Sequence, residues 1–190
     1  MRKHYTLSGL LLCLMTLLTL SASATPDKDY LCFTANTAGS TVELAKEGIP
    51  GSSNIEYSTD GSVWTYVDFI HSETTTGKIL LANAGNKVYF RRPEDGVSEV
   101  FSRDDVYYHF IMEGSIAASG NVMSLIDKSC TTTEIPYEYC FFRLFLNCTA
   151  LKSAPYLPAT TLDEYCYANM FQGCTGLESA PALPATTLAR

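Results

Sequence analysis

The hydrophobic pattern of the chain changes character near residue 128. Before that point, runs of β-branched and aromatic residues occur at 30–35, 41–44, 55–57, 63–67, 87–91 and 108–112. Turn-forming Gly, Asn, Asp and Ser residues separate these runs, and no long stretch has helical periodicity. This spacing predicts a small antiparallel β-sandwich-like domain over residues 25–128.

An internal repeat occupies the rest of the chain. Residues 140–164 align with residues 166–190 at 14 of 25 positions, and both segments contain the string Leu-Pro-Ala-Thr-Thr-Leu. The period of 26 residues is that of leucine-rich repeats, which span about 20–29 residues. We therefore expect a mainly β protein with short helices, in which residues 129–190 form the start of a leucine-rich repeat (α/β) solenoid.

Both repeat units carry a signal for the start of a short helix. Thr161 and Glu164 have the spacing of a capping box, which predicts a helix from Leu162. Pro136 takes the corresponding place one unit earlier, and proline is favoured at the first helical position. A helix is therefore predicted in each unit.

A short strand is predicted after each helix, at 151–157 and 177–183. Pro155 and Pro181 limit its length because proline donates no hydrogen bond to a ladder.

The first residues have the pattern of a secretory signal. Arg2 and Lys3 precede an apolar run at 10–20, and Ala22-Ser-Ala24 follows as a cleavage site. Residues 1–24 are therefore predicted to be a signal peptide, which makes the protein exported. The apolar run is shorter than the roughly 20 residues needed to cross a bilayer, and no later run is longer. We expect no membrane-spanning segment in the mature chain.

The charge of the chain disfavours polyanionic partners. The sequence has 13 basic and 20 acidic residues, a net charge of −7. Loss of residues 1–24 removes two basic residues and no acidic ones, so the mature chain is more acidic still. Nucleic acid is excluded as an expected partner because it would be repelled.

Six cysteines remain after the signal peptide, and their spacing follows the repeat. Cys140 is equivalent to Cys166, and Cys148 is equivalent to Cys174. This pattern favours small buried thiols in a repeated core position. An even number of cysteines in an exported chain also fits disulfides, so both interpretations stay open. No metal or cofactor site is predicted, because no Cys-x-x-Cys is present and few histidines are available.

Candidate catalytic residues are sparse. The stretch from Ser58 to Trp64 resembles an aspartate-box hairpin, in which Asp60 would accept hydrogen bonds from turn amides. His71 and His109 lack an accompanying nucleophile elbow, phosphate loop or spaced carboxylate pair, so each is interpreted as a satisfied or exposed histidine. The pair Arg91-Arg92 is interpreted as solvated.

The repeat units support a resemblance to a known family. The segments CFFRLFLNCTALKSAPYLPATTLDEY and CYANMFQGCTGLESAPALPATTLA resemble the repeats of BspA-like leucine-rich repeat surface proteins of Bacteroides-type bacteria. The segment 119–126 is similar to the link between their N-terminal β domain and the repeat array. The resemblance implies a cell-surface or secreted protein that binds through its repeats in adhesion, without enzymatic activity. Because such arrays usually have more repeats, we expect this chain to be a fragment of a longer protein.

These observations give two functional hypotheses. The first is a non-enzymatic interaction protein whose ligand, a protein or glycan, contacts the exposed strand face of the repeats. Strand alternation assigns Lys152, Tyr156 and Glu178 to that face. The alternative is a glycan-binding module, or an accessory of a secreted carbohydrate-active system, in which Trp64 and the many tyrosines of the β domain bind sugar.

Overall fold

The structure is a computed structural model that describes residues 29–48, 54–67, 77–93 and 101–188. The predicted signal peptide and His71 lie outside these ranges. The described residues form eleven strands: β1 Leu31–Ala35, β2 Ser40–Glu47, β3 Glu56–Ser58, β4 Thr65–Tyr66, β5 Ile79–Leu81, β6 Lys87–Arg91, β7 Tyr107–Glu113, β8 Ile116–Ser119, β9 Leu151–Ser153, β10 Thr161–Leu162 and β11 Thr187–Leu188.

The strands form three sheets with mostly antiparallel pairing. The largest sheet has the order β4-β3-β6-β1-β8-β9, the second has the order β5-β2-β7, and β10 pairs with β11. Pairing is parallel between β8 and β9 and between β10 and β11. The mainly β class predicted from the sequence is confirmed.

The two larger sheets face each other across an aromatic core. The ring of Phe33 in β1 lies 4.7 Å from that of Phe110 in β7, and Phe90 in β6 lies 5.0 Å from the same ring. All three side chains are fully buried. Burial of such large apolar surfaces is the main favourable contribution to folding, so Phe110 lies at the centre of the N-terminal half.

This core continues into the repeat units. Phe110 stacks on Phe145 at 5.6 Å between ring centroids, and Phe145 stacks on Phe171 at 5.3 Å. The largest sheet also crosses the same region, because β9 in the first repeat unit pairs with β8. One hydrophobic cluster therefore contains residues from before and after residue 128.

The predicted helices are wrong: within the described residues, the only helical element is the short 3₁₀ turn Val122–Leu125. Residues 138–147 and 164–173 instead form consecutive turns. Amides at alternate positions close turns within a unit, such as Phe142 to the carbonyl of Tyr139. The intervening amides donate to the next unit, such as Phe141 to Cys166 and Phe145 to Met170.

Left-handed backbone conformations at every fourth residue produce this arrangement. In the first unit φ is 58° at Tyr139, 57° at Arg143 and 59° at Asn147. Tyr165 and Asn169 repeat the pattern with φ of 53° and 55° in the second unit. Such conformations interrupt an α-helix, whose amides would all be used inside the segment. The amides released in this way join one unit to the next.

Two further predictions need correction. Thr161 does not cap a helix, because it lies in β10 and its amide donates to the carbonyl of Thr133. The amide of Glu164 donates to the Asp163 carboxylate instead. The segment 177–183 contains no strand and joins the first unit through one hydrogen bond, from the Glu178 amide to the Lys152 carbonyl.

Candidate functional site

The structure brings two of the three predicted binding residues to neighbouring positions. The Glu178 amide donates to the Lys152 carbonyl at 3.1 Å, so these residues are adjacent on successive units. Tyr156 lies further along the first unit, where its amide donates to Gly120 at 2.8 Å. Tyr156 and Glu178 are exposed, whereas Lys152 is half-buried. This arrangement is the strand-face surface, defined by Lys152, Tyr156 and Glu178.

The half-buried state of Lys152 has a local cause. Its Nζ atom lies 3.2 Å from the place where a β-carbon on Gly176 would stand. The same β-carbon would collide with the carbonyl oxygen of Thr149. Glycine therefore allows the second unit to approach the first closely, with the Lys152 ammonium group beside Gly176.

The predicted turn around Asp60 is confirmed. Its Oδ1 atom accepts hydrogen bonds from the amides of Val63 and Ser62, both at 2.8 Å, and from the Ser58 hydroxyl at 2.9 Å. These donors favour the carboxylate and lower the pKa of Asp60 well below its usual value. Asp60 therefore organises the hairpin between β3 and β4.

Trp64, at the end of this hairpin, is covered on one ring face by Arg91. The guanidinium carbon lies 3.6 Å from the indole centroid. Arg91 is in turn fixed by Glu56, whose Oε2 atom is 3.1 Å from its Nε atom. The solvated interpretation of Arg91-Arg92 is therefore wrong, since Arg92 is also buried.

A cleft of about 550 Å³ lies between this hairpin and the start of β5. Its walls include Tyr57, Thr59, Thr65 and Lys78. The Lys78 ammonium binds the Glu113 carboxylate at 2.6 Å. Hydroxyl groups beside an aromatic ring and a charged group can hold a small polar ligand.

His109 differs from both states expected for it. It is half-buried on β7, and its Nδ1 atom is buried without a hydrogen-bond partner in the structure. Burial lowers the pKa of His109, against the opposing effects of Glu47 and Glu43. Burial favours the neutral imidazole over the cation because the neutral form needs less solvation.

The cysteines of the described residues are free thiols. Cys148 donates from Sγ to the Phe110 carbonyl at 3.0 Å, and Cys174 donates to the Phe145 carbonyl at 2.9 Å. Burial raises the pKa of Cys148 and raises that of Cys166 to about 11. A thiol that resists ionisation is a poor nucleophile and a poor metal ligand, so these cysteines act as packing groups.

Sequence reasoning did not identify Arg143, whose guanidinium is held against two aromatic rings. Its Cζ atom lies 4.6 Å from the Phe142 centroid and 5.4 Å from that of Tyr107. Its Nη1 atom donates to the Tyr107 hydroxyl at 3.3 Å. No local sequence pattern indicates this contact, because Tyr107 lies 36 positions from Arg143.

The described part of the chain has no group of three or more His, Cys, Asp or Glu residues placed to hold a metal ion. Nor do these residues form a helix of the length and apolarity that a bilayer requires. Comparisons with protein-family models, curated proteins and solved structures find no match for this chain. Its function must therefore be argued from its own residues.

Proposed function

We propose that this protein is an exported, non-enzymatic interaction protein of the bacterial surface, of the BspA-like leucine-rich repeat kind. In this proposal an antiparallel β-sandwich carries the first units of a solenoid, and the strand-face surface binds a protein or glycan ligand. The observation that carries the proposal is the recurrence of one set of contacts at successive units.

The recurring contacts involve the same atoms in each unit. The Phe110 amide donates to Leu144, and the Phe145 amide donates to Met170, the residue one period after Leu144. The Cys148 and Cys174 thiols likewise donate to Phe110 and Phe145. Phe110 in β7 thus has the role of a preceding repeat unit, and stacking through nearest neighbours is how solenoids are built.

The strand-face surface has the composition of a binding surface. Tyr156 is 55% exposed although its backbone is fixed on both sides by hydrogen bonds with Gly120 and Val122. A fixed backbone lowers the entropy cost of ordering this segment on binding, and tyrosine is enriched among residues that dominate interface energies. Glu178 and Lys152, adjacent to each other on successive units, add charges of both signs to the same surface.

The test is a binding comparison on immobilised extracellular-matrix proteins and glycans. The whole chain is compared with Tyr156→Ala and Glu178→Ala. The matched control is Tyr66→Ala, because Tyr66 on β4 is 58% exposed and lies away from the strand-face surface. Binding that falls at least about tenfold in the first two variants and not in the control supports the proposal. Equal binding by all variants contradicts it.

The second candidate is a glycan-binding module, and the cleft beside β5 favours it. It is lined by a tyrosine, two threonines and Lys78, residue types that can hydrogen-bond to sugars or stack on them. Trp64 contributes less to this candidate than the sequence indicates, because Arg91 occupies one face of its ring.

A glycan array with the whole chain, followed by titration of any positive saccharide, tests this candidate. Lys78→Ala should weaken sugar binding, whereas Lys87→Ala, an exposed lysine on β6, should not. Sugar binding that is unchanged in Lys78→Ala and lost in Tyr156→Ala would assign glycan recognition to the strand-face surface instead.

A further inference from the structure

We propose that the outer face of the second repeat unit binds a repeat unit carried by a different protein. The outer face is the side of residues 164–173 that points away from the first unit. The partner unit stacks on this face as the second unit stacks on the first, so the new contact continues an interface that the chain already contains. The outer face is separate from the strand-face surface.

The contact between the two units of this chain defines what the partner presents. Five amides of the first unit donate to carbonyls of the second unit at 2.7–3.1 Å. The donors are the amides of Tyr139, Phe141, Arg143, Phe145 and Asn147. The acceptors are the carbonyls of Glu164, Cys166, Ala168, Met170 and Gln172. No amide of residues 164–173 donates to the first unit in return, so donors and acceptors are segregated across this interface.

The second unit presents the same row of amides on its outer face. The equivalent amides of Tyr165, Asn169, Phe171 and Gly173 donate to no described residue. Tyr165, Asn169 and Gly173 are exposed, so a partner can reach the row. The left-handed φ values of 53° at Tyr165 and 55° at Asn169 are close to those in the first unit. The amides therefore have the same orientation, one unit further along the stack.

The row fits a repeat unit better than an ordinary β-strand. The edge of a strand presents both N–H and C=O groups, so it needs acceptors as well as donors. On the second unit the intervening carbonyls already accept from amides of the same unit, as Tyr165 does from Ala168 and Phe171 from Cys174. A strand would therefore bury N–H groups without acceptors, which is unfavourable. A repeat unit presents carbonyls alone.

A second copy of this chain is not suited to the same role. The carbonyls of residues 164–172 in that copy accept from its own first unit. In the first unit the Leu144 carbonyl already accepts from the Phe110 amide. The row of carbonyls must therefore come from a protein in which a repeat unit has this side uncovered.

The side chains of the outer face specify the partner further. Phe141 and Phe145 are fully buried, because Tyr167 and Phe171 stack on them at 5.9 and 5.3 Å between ring centroids. The Cys174 thiol adds a hydrogen bond to the Phe145 carbonyl. Tyr167 and Phe171 are half-buried, and no other described ring stacks on them. The partner unit therefore carries two aromatic residues four positions apart and a cysteine three positions after the second.

The test is amide hydrogen exchange in the whole chain, measured by NMR on isotope-labelled protein under reducing conditions. The probe is an unlabelled, capped peptide with the sequence of residues 162–188, which supplies the carbonyls, the two rings and the cysteine. Without peptide, the amides of Phe145 and Asn147 should be protected, whereas those of Asn169 and Phe171 should exchange freely. Saturating peptide should slow the exchange of Asn169 and Phe171 at least about tenfold.

Two matched peptides and one variant serve as controls. The same peptide with Phe171→Ala lacks one stacking ring and should bind at least about tenfold more weakly. A peptide with the sequence of residues 107–113 represents an ordinary strand and should give no protection. The chain variant Tyr66→Ala, changed on exposed β4, should bind the first peptide as the unaltered chain does.

Several results would overturn the proposal. These are no added protection of Asn169 and Phe171 at about 1 mM peptide, equal binding of the peptide with Phe171→Ala, and loss of binding in Tyr66→Ala. Equal protection by the peptide of residues 107–113 would assign the outer face to a strand instead. Protection that rises with the concentration of the chain alone would assign it to a second copy. The strand-face surface is tested by different variants, so either proposal can fail without the other.

Discussion

The two repeat units have closely similar sequences but are buried to very different extents. Leu157 in the first unit is 2% exposed, whereas the equivalent Leu183 is 60% exposed. Phe145 is fully buried, and its equivalent Phe171 is half-buried. The side chains are the same in both pairs, so the difference comes from position in the stack.

The comparison shows that each unit is buried by its neighbours rather than by itself. The first unit is covered by β7 and β8 on one side and by the second unit on the other. The second unit has described contacts with the first unit on one side only. The energetic value of a repeat position therefore depends on the units beside it, as expected for a one-dimensional array.

The largest expected effect comes from truncating the stacked phenylalanines Phe145 and Phe171 to alanine. Phe145→Ala should lower the free energy of unfolding by about 3–5 kcal/mol, because it removes a ring packed between two others and leaves a cavity. Phe171→Ala should cost about 1–2 kcal/mol, since that ring is only half-buried. Urea unfolding measures both. Equal losses would mean that the second unit is buried as well as the first.

A smaller effect is expected where the two units differ in sequence at one core position. The first unit has Ala150 and the second has Gly176, whose added β-carbon would collide with the Thr149 carbonyl. Gly176→Ala should therefore cost about 1–3 kcal/mol through overpacking. The matched variant Ala150→Gly removes one buried methyl group and should cost about 1 kcal/mol. A neutral Gly176→Ala would show that the units are less closely packed.

The sequence predicted those parts of the fold that depend on local patterns. The runs 87–91 and 108–112 correspond to β6 and most of β7. A half-buried strand can be predicted from its own residues, because apolar and polar side chains alternate along it. The repeat period was equally visible. β8 was not predicted, because Ile116–Ser119 contains two alanines and lacks the bulky alternation of the other strands.

The helix predictions were wrong because the structure of these segments depends on distant parts of the chain. The capping-box spacing of Thr161 and Glu164 is a local signal, but the Thr161 amide donates to the carbonyl of Thr133, 28 residues earlier, and no single segment indicates that bond. Arg143 was missed on the same grounds, since Tyr107 comes from the other half of the chain. Tertiary hydrogen bonding overrode local preference at these positions.

The two thiols of the second unit, Cys166 and Cys174, should differ in their response to alkaline pH. Burial raises the pKa of Cys166 from 9.0 to about 11, and also raises the pKa of Cys140. The folded protein therefore keeps these protons after the unfolded chain has lost them. Their contribution to stability is complete below pH 9.0 and is lost as the pH rises toward about 11.

Urea unfolding at pH 8 and pH 10 measures this loss. In Cys166→Ala the fall in stability between the two pH values should be smaller than in the unaltered chain. Cys174→Ala is the comparison in the outer position: burial also raises the pKa of its thiol, but that thiol is only half-buried, whereas Cys166 is buried. An identical pH dependence in all three proteins would show that burial of the inner thiol does not resist ionisation.

The smallest predicted effect is the coupling between the two stacked tyrosines. The rings of Tyr139 and Tyr165 lie 4.9 Å apart with planes at 14°. A double-mutant cycle with Tyr139→Ala and Tyr165→Ala should give a coupling energy of about 0.5 kcal/mol, at the low end for aromatic pairs because Tyr165 is exposed. The matched cycle of Tyr139 with Tyr66, which is exposed on β4, should be additive. A coupling energy near zero for both pairs would contradict the prediction. It would show that the Tyr139 and Tyr165 rings do not stabilise each other and that only buried side chains stabilise the contact between the units.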